Sequence, residues 1–181
     1  RSTPHLTTLV DFDANQNLQM VASLDKNKQL VLSTLSTGRY IRAIDVDVPG
    51  IVQKVMLLDI GYIIVASSVQ TPGSETTIRI YNVNTKFLKE KKFNYTILHW
   101  CKVELINGFT GIGIVFDNGH FTFLEVASLD QLIDLDLYTK IISLIFVPQH
   151  MVFFLADSSN IFSIDLQNEL STNIVPNEPT N

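Results

Sequence analysis

The side chains that could do chemistry here are histidine, cysteine and clustered carboxylates, and their spacing decides whether they form a site. The four histidines are His5, His99, His120 and His150. No two of them have the HxxxH spacing of a metal site, and no carboxylate follows them at a metal-site interval. We therefore predict no metal site, and we expect His99, beside Trp100, to be a packed strand residue.

Aspartates recur at alternate positions, the spacing that places side chains on one face of a strand. The sets are Asp11 with Asp13, Asp45 with Asp47, and Asp130 with Asp134 and Asp136. Carboxylate pairs perform acid–base chemistry in a closed cleft that separates their pKa values. An outer strand offers no such cleft, so we interpret all three sets as solvated faces.

Nucleophile and phosphate-binding motifs are missing from the sequence. It contains no GxSxG elbow, and its closely spaced glycines do not form a GxGxxG loop followed by a helix. The single cysteine, Cys101, excludes an internal disulfide and a cysteine-rich zinc site. The sequence therefore predicts a non-enzyme without a cofactor.

Composition excludes further classes of protein. The 181 residues carry a net charge of −5, which argues against sequence-independent nucleic-acid binding. No apolar run reaches the roughly 20 residues that span a bilayer. The chain opens on Arg1 rather than Met, so we expect it to be an excised fragment.

Strand-type patterns recur along the whole chain, and no helix-period stretch of useful length interrupts them. The predicted strands are 6–12, 18–23, 29–34, 40–46, 52–58, 62–69, 77–83, 87–93, 97–105, 111–116, 120–126, 132–137, 141–147, 151–156 and 160–166, with a frayed strand at 173–175. They group into four units of up to four strands, at about 6–46, 52–93, 97–137 and 141–175. Second strands such as 62–69 and 151–156 are apolar on both faces, which predicts that neighbouring sheets sandwich them.

Turn chemistry supports the same division into four units. The turns after the second strands, at 25–28, 70–76, 117–119 and 157–159, are rich in Asp, Asn, Gly, Ser or Pro. Equivalent positions at the end of the third strands are Thr34, Asn82, Glu125 and Asp165, spaced by 48, 43 and 40 residues. This brackets the about 40–45 residues of a WD-type repeat.

The ends of the third strands carry a family resemblance. Tyr81-Asn82 stands where a WD40 repeat has Trp-Asp, and Ser33-Thr34, Leu124-Glu125 and Ile164-Asp165 hold the same place elsewhere. The chain thus resembles divergent WD40 repeats. No Gly-His dipeptide opens a unit, so we expect the Ser/His/Asp/Trp tetrad to be incomplete.

Two segments resemble the WD40 region of BEACH-domain proteins. They are residues 25–44, with Gly38-Arg39-Tyr40-Ile41-Arg42, and residues 97–129, with Ile97-Leu98-His99-Trp100. The resemblance implies an all-β fold: four blades of a WD40-like β-propeller that is one partial domain of an about seven-bladed ring. It also implies a cytoplasmic scaffold of vesicle traffic, lysosome-related organelles or autophagy, at times peripheral on endosomal or other membranes.

Rigid turns are where a scaffold binds protein partners, so they supply the candidate site residues. These are Asp25, Lys26, Lys28, Thr71, Pro72, Ser74, Glu75, Asp117, Asn118, His120, Asp157 and Asn160, which we expect on one rim. Tyr81, Trp100 and Phe109 are the aromatic residues we would test as anchors.

Lys86, Lys89, Lys91 and Lys92 form a basic cluster on the predicted strand 87–93 and its turn. They leave open an alternative function, a peripheral reader of phosphoinositides or other anionic lipids, although lysines also protect an outer edge strand. A propeller hydrolase is the remaining alternative. Exposed blade edges predict self-association with another copy.

Overall fold

A computed structural model of the protein describes residues 5, 7–69 and 75–172, with the side chains of 171 and 172 left aside. The chain divides into two compact units, Arg1–Thr96 and Ile97–Asn181. Each unit holds two antiparallel sheets whose strands follow one another in chain order. The described part is therefore an all-β repeat fold.

The first unit contains sheets A and B. Sheet A consists of β1 (Leu9–Asn15), β2 (Met20–Asp25), β3 (Gln29–Thr34) and β4 (Tyr40–Asp45). Sheet B consists of β5 (Ile51–Leu57), β6 (Tyr62–Val69), β7 (Glu75–Asn82) and β8 (Phe87–Phe93). Their shared core contains Ala22, Leu24, Leu30 and Leu32 of sheet A and Val55, Ile63, Val65 and Tyr81 of sheet B.

The second unit contains sheets C and D. Sheet C consists of β9 (Ile97–Glu104), β10 (Thr110–Phe116), β11 (His120–Glu125) and β12 (Gln131–Asp136). Sheet D consists of β13 (Ser143–Val147), β14 (Val152–Ala156) and β15 (Ile161–Asp165), followed by the helix α1 (Leu166–Thr172). Their shared core includes Val115, Phe121 and Phe123 of sheet C and Phe153 and Leu155 of sheet D.

All fifteen predicted strands that fall on described residues are present, with bounds that differ by no more than three residues. The prediction of a strand at 173–175 lies outside the described residues. The absence of helix was a wrong prediction, because α1 follows β15. Asp165 starts this helix, since its Oδ1 accepts the N–H groups of Gln167 and Asn168 at 2.9 and 3.1 Å.

The equivalence of the third-strand ends is confirmed. Thr34, Asn82, Glu125 and Asp165 are the last residues of β3, β7, β11 and β15. Sheets A, B and C also share a bulge against the fourth strand just before these positions, between Leu32 and Ser33, Ile80 and Tyr81, and Phe123 and Leu124. Because bulges are specific local features, their recurrence at one position indicates that sheets A, B and C repeat the same strand arrangement.

Burial of the second strands agrees with the prediction in two sheets and contradicts it in one. β10 is buried throughout and β6 at all but its two end residues. In β14, by contrast, Phe153 is buried and Phe154 is partly exposed. The expectation that β14 is covered on both faces was wrong, because no described residue covers its second face.

Asp11 and Asp13 do not form a solvated face, which corrects the prediction for this pair. Their Oδ2 atoms accept the backbone N–H groups of Val55 and Leu57, at 2.9 and 2.8 Å. Asn15 continues the row, since its Nδ2 donates to the carbonyl of Leu57 at 3.2 Å. These polar residues therefore join the first strands of sheets A and B.

Among the described residues, no helix has the length and apolar character needed to cross a membrane.

Candidate functional site

Asp25 closes the turn between β2 and β3 from inside the fold. Its Oδ1 accepts the backbone N–H groups of Asn27 and Gln29, at 2.9 and 3.0 Å. The residue is only 1% exposed. The prediction that Asp25 is presented to a partner is therefore wrong: its carboxylate is used to hold the hairpin.

His5 bridges the same carboxylate to β2. Its Nδ1 lies 3.1 Å from Asp25 Oδ2 and its Nε2 lies 2.7 Å from Ser23 Oγ. Burial alone would raise the pKa of the Asp25 carboxyl, but hydrogen bonds from the Gln29 N–H, His5 and the Asn27 N–H lower it below its usual value. Asp25 is thus a structural anion at neutral pH.

The corresponding turn in sheet C depends on an amide and a glycine. Asn118 Oδ1 accepts the N–H of His120 at 3.1 Å, and Gly119 has φ +82°. A Cβ at Gly119 would lie 2.7 Å from the carbonyl oxygen of Thr139. The turn therefore needs glycine both for its backbone angle and for the close approach of the segment that follows β12.

The turn in sheet D repeats the aspartate arrangement at a partly exposed position. Asp157 Oδ1 accepts the N–H groups of Ser159 and Asn160, both at 2.7 Å. Its Oδ2 accepts the hydroxyl of Thr139 at 2.9 Å. The backbone N–H groups of Ser159 and Asn160 lower the pKa of the Asp157 carboxyl.

Both turns of the second unit hold the segment between β12 and β13. Leu137 N donates to Gly119 O at 3.0 Å, and Thr139 is bound by Asp157. Between these two fixed residues, Tyr138 is 92% exposed with a left-handed φ of 55°. We call residues 117–119, 137–140 and 157–160 the Tyr138 rim.

His120 lies beside this rim, between two carboxylates of β12. Its Nδ1 is 2.8 Å from Asp136 Oδ1, and its Nε2 contacts Asp134 Oδ1. Burial alone would lower the pKa of His120, but the hydrogen bonds to Asp136 and Asp134 and their charges raise it. The two carboxylates reflect the alternation read from the sequence, but they bind a histidine instead of forming a purely solvated face.

This cluster is not a metal site. Asp136 and Asp134 occupy different nitrogens of the His120 ring, so the three side chains do not converge on one point. No group of three His, Cys, Asp or Glu side chains in the described part of the chain is arranged to hold a metal ion.

The other candidate loop residues are spread over different environments. Lys26 is exposed, while Lys28 Nζ donates to the carbonyl of Val48 at 2.7 Å. Glu75 belongs to β7 instead of a turn, and its Oε1 lies 3.2 Å from Lys92 Nζ. Thr71, Pro72 and Ser74 lie outside the described residues.

The basic cluster is not one patch, which corrects the prediction for it. In the β7–β8 register Lys92 pairs with Thr77, whereas Lys91 and Lys89 pair with Ile78 and Ile80. Since successive strand residues point to opposite faces, Lys89 and Lys91 lie on one face of β8 and Lys92 on the other. Lys86 lies in the preceding turn.

The residues that line two surface cavities indicate which reactions these cavities could support. One, of about 470 Å³ in the first unit, is lined by Asp45, Asp47, Arg79, Tyr81 and Phe87 among others. The other, of about 540 Å³ in the second unit, is lined mainly by Leu105, Ile106, Pro148 and Met151. Neither lining contains a Ser or Cys nucleophile next to a base. Burial also raises the pKa of Cys101 to about 12, so this thiol is not a nucleophile at neutral pH.

Sequence reasoning named the turns but missed the exposed aromatic residue between them. Tyr81 is buried, and Trp100 and Phe109 are partly buried, so none of the three is a free anchor. Tyr138 had one signal in the sequence: it is the single aromatic residue in the short link between β12 and β13.

The comparisons with known proteins give information about the fold only. No protein-family model matches the sequence, and no curated protein sequence matches it significantly. Among solved structures, the chain is similar to the crystal structure of the computationally designed Ika4 protein, with a TM-score of 0.65 and 13% sequence identity. The match covers 90% of this chain and 93% of that one, so the likeness extends over the repeat of β-sheets as a whole.

Proposed function

We propose that the protein is a non-catalytic protein-interaction scaffold that binds a partner through the Tyr138 rim. One observation carries the proposal: Tyr138 is held out into solvent by a backbone fixed on both sides. Exposed tyrosines on rigid supports are frequent anchors of protein interfaces, because they bury a large area and lose little side-chain entropy on binding.

The backbone of Tyr138 makes this exposure more informative. A non-glycine residue in the left-handed region costs about 1–2 kcal/mol. Such strain persists where the surroundings enforce it and is frequent at binding sites. Here the fixed positions of Leu137 and Thr139 enforce it. We therefore interpret the strained, solvent-facing tyrosine as a recognition residue.

The charges around Tyr138 favour a basic partner. Asp117 and Asp157 belong to the rim and Asp136 ends the strand before Tyr138, while Lys140 is the one lysine or arginine of the rim. A lysine or arginine of a partner can stack on a tyrosine ring while its N–H groups donate hydrogen bonds to a neighbouring carboxylate. The proposed partner is thus a protein segment that carries lysine or arginine.

For the fold we make a more specific proposal, that the sheets are blades of a WD40-like β-propeller. It is supported by His5, Ser23 and Asp25, which bind one another as the His, Ser and Asp of the tetrad would, with Ser33 where the tetrad has Trp. Thr139 and Asp157 make the matching contact in sheet D. A BEACH-like role in vesicle traffic, lysosome-related organelles or autophagy, and a cytoplasmic location, follow from the sequence resemblance alone.

Binding to an anionic membrane surface is the alternative function, and the structure gives it less support. An anionic bilayer attracts basic side chains that approach it together. The lysines of β8 point to both faces of the strand, and Lys92 is paired with Glu75. This arrangement suits an edge strand that resists pairing with other chains.

The test compares capture of lysine- and arginine-rich peptides, from an immobilised set, by the wild-type protein and by Tyr138→Asn. Asparagine accepts the left-handed conformation, so the rim keeps its backbone. We expect peptide affinity to fall about tenfold or more, as for other tyrosine anchors. Tyr40→Asn, which removes another exposed tyrosine in the first unit, is the matched control. Equal capture by Tyr138→Asn and the wild type would exclude the rim as the site.

A further inference from the structure

Each sheet has two faces, and the first unit shows how consecutive sheets meet. Sheet A uses the face with Ala22 and Leu24 to pack on sheet B, which contributes the face with Ile63 and Val65. We call the first the forward face and the second the rear face. In the second unit, sheet C packs on sheet D through Val115 and Phe153 among other residues.

The register identifies the forward face of every sheet. Met20, Gly111 and Val152 each pair with the last residue of the third strand in their own sheet, which is Thr34, Glu125 and Asp165 respectively. Two residues further along are Ala22, Gly113 and Phe154. These three residues therefore hold the same place on the forward faces of sheets A, C and D.

The forward face of sheet D is apolar and open. Ile145 pairs with Phe154, and Ile161 lies on the same face through its pairing with Ala156. Their exposed fractions are 54% for Ile145, 37% for Phe154 and 76% for Ile161. No described residue covers this face, although its counterpart on sheet A is buried.

The rear face of sheet A is open along β1, whereas Val31 and Asp25 on the same face are buried. It carries Phe12, which pairs with Ser23, and Ala14, which pairs with Val21. Phe12 is 62% exposed and Ala14 is also exposed. The residues at this level in sheet D, Leu144 and Phe146, pack in the core of the second unit instead.

Side-chain volume indicates which surface fits the open face of sheet D. In the cores of the two units a small forward residue is combined with a larger rear residue: Ala22 and Ile63 belong to one core cluster, and Gly113 lies against Phe153. On sheet D the forward residue is large, Phe154. A rear face with an equally large residue at this level would overlap it. The rear face of sheet A has Val21 there and Ala14 beside it, which leaves room for the ring.

We propose that two copies of this chain associate head to tail, with the rear face of sheet A in one copy packed on the forward face of sheet D in the other. The contact is heterologous, because the two surfaces are different. It goes beyond the proposed binding function, since it involves neither Tyr138 nor the residues of the rim.

The test measures molar mass in solution for the wild type and for three single variants. We expect the wild type to associate and both Phe154→Glu and Phe12→Glu to be monomers, because each places a charge in the contact. Ile106→Glu changes a fully exposed isoleucine in the turn after β9 and should associate as the wild type does. Circular dichroism checks that each variant is folded, and Ile161→Glu replaces Phe154→Glu if that one is not.

Mixing the two monomeric variants separates head-to-tail association from other arrangements. Phe12→Glu keeps an intact forward face on sheet D, and Phe154→Glu keeps an intact rear face on sheet A. An equimolar mixture should therefore form a mixed dimer that neither variant forms alone. A monomeric wild type, or a mixture that stays monomeric, would overturn the proposal.

Discussion

Gly113 lies so close to Phe153 that a Cβ atom on the glycine would be 2.6 Å from Cε1 of the phenylalanine ring. The ring has little freedom to move away. Its centroid is 5.1 Å from that of Phe121, 5.5 Å from Phe123 and 4.8 Å from Phe146. The absence of a side chain at Gly113 is therefore what allows sheets C and D to share an aromatic core.

We predict that Gly113→Ala destabilises the protein by about 1–3 kcal/mol, the usual cost of overpacking a core. Urea denaturation followed by circular dichroism measures the loss. Phe153→Leu in the same chain shortens the opposing side chain, so the double variant should lose less than the sum of the two single losses. If the two losses in free energy of unfolding simply add, the contact with Phe153 is not the reason why position 113 requires glycine.

Asp25→Ala should lower the free energy of unfolding by about 1–3 kcal/mol, because two backbone N–H groups and His5 lose a buried acceptor. Asp157→Ala removes the equivalent carboxylate from a partly exposed position and should cost less. Equal losses in thermal or urea unfolding would mean that burial of Asp25 has no role in its contribution.

The same carboxylate predicts a pH dependence. The pKa of Asp25 is lower in the folded protein than the usual value of about 3.9. Its contribution to stability is therefore complete above about pH 4 and is lost as the pH falls through the folded-state pKa. Unfolding measured between pH 6 and 3 should show the difference between wild type and Asp25→Asn shrinking toward the acid end.

The strand order was predictable from sequence because each strand carries its own pattern and each turn its own chemistry. Turns such as Asp157-Ser158-Ser159 announce a hairpin locally, and they were placed correctly. The ends of β1 were predicted incorrectly, because Asp13 and Asn15 are residue types that are typical of turns. Their side chains bind β5, about forty residues away, and a local pattern cannot show such a partner.

The candidate site was predictable only in part, for the same reason. The hairpin aspartates of sheets A and D have similar sequence surroundings, but Asp25 is buried beneath His5 and Asp157 is partly exposed beside Thr139. Exposure depends on which segment crosses the turn. The strain at Tyr138 also arises from two bonds to distant turns, so no feature of its neighbours in sequence reveals it.

Asp13→Ala tests the junction between β1 and β5. The substitution removes the acceptor of the Leu57 N–H, and we expect a loss of about 1–2 kcal/mol in urea unfolding. Asp13→Asn keeps a side-chain carbonyl that can accept the same bond and should lose less. Asp45→Ala, an exposed aspartate at the end of β4, is the control and should change stability by less than about 0.5 kcal/mol.

His120 makes stability depend on pH in the opposite direction from Asp25. Its pKa in the folded protein is raised by Asp136 and Asp134 above the usual value of about 6.5. The contribution of the charged ring is thus fully present below about pH 6.5 and is lost as the pH rises through the folded-state pKa. Since both aspartates are more than half exposed, we expect about 1 kcal/mol at most.

The measurement is a histidine titration by NMR together with urea unfolding at several pH values. The His120 resonance should titrate above pH 6.5 in the wild type and at a lower pH in Asp136→Asn, because one carboxylate is then neutral. His120→Gln should be less stable than the wild type at pH 6, and the difference should shrink by pH 9. A His120 pKa below 6.5, or a stability difference that does not change with pH, would show that the ring is not charged between the two aspartates.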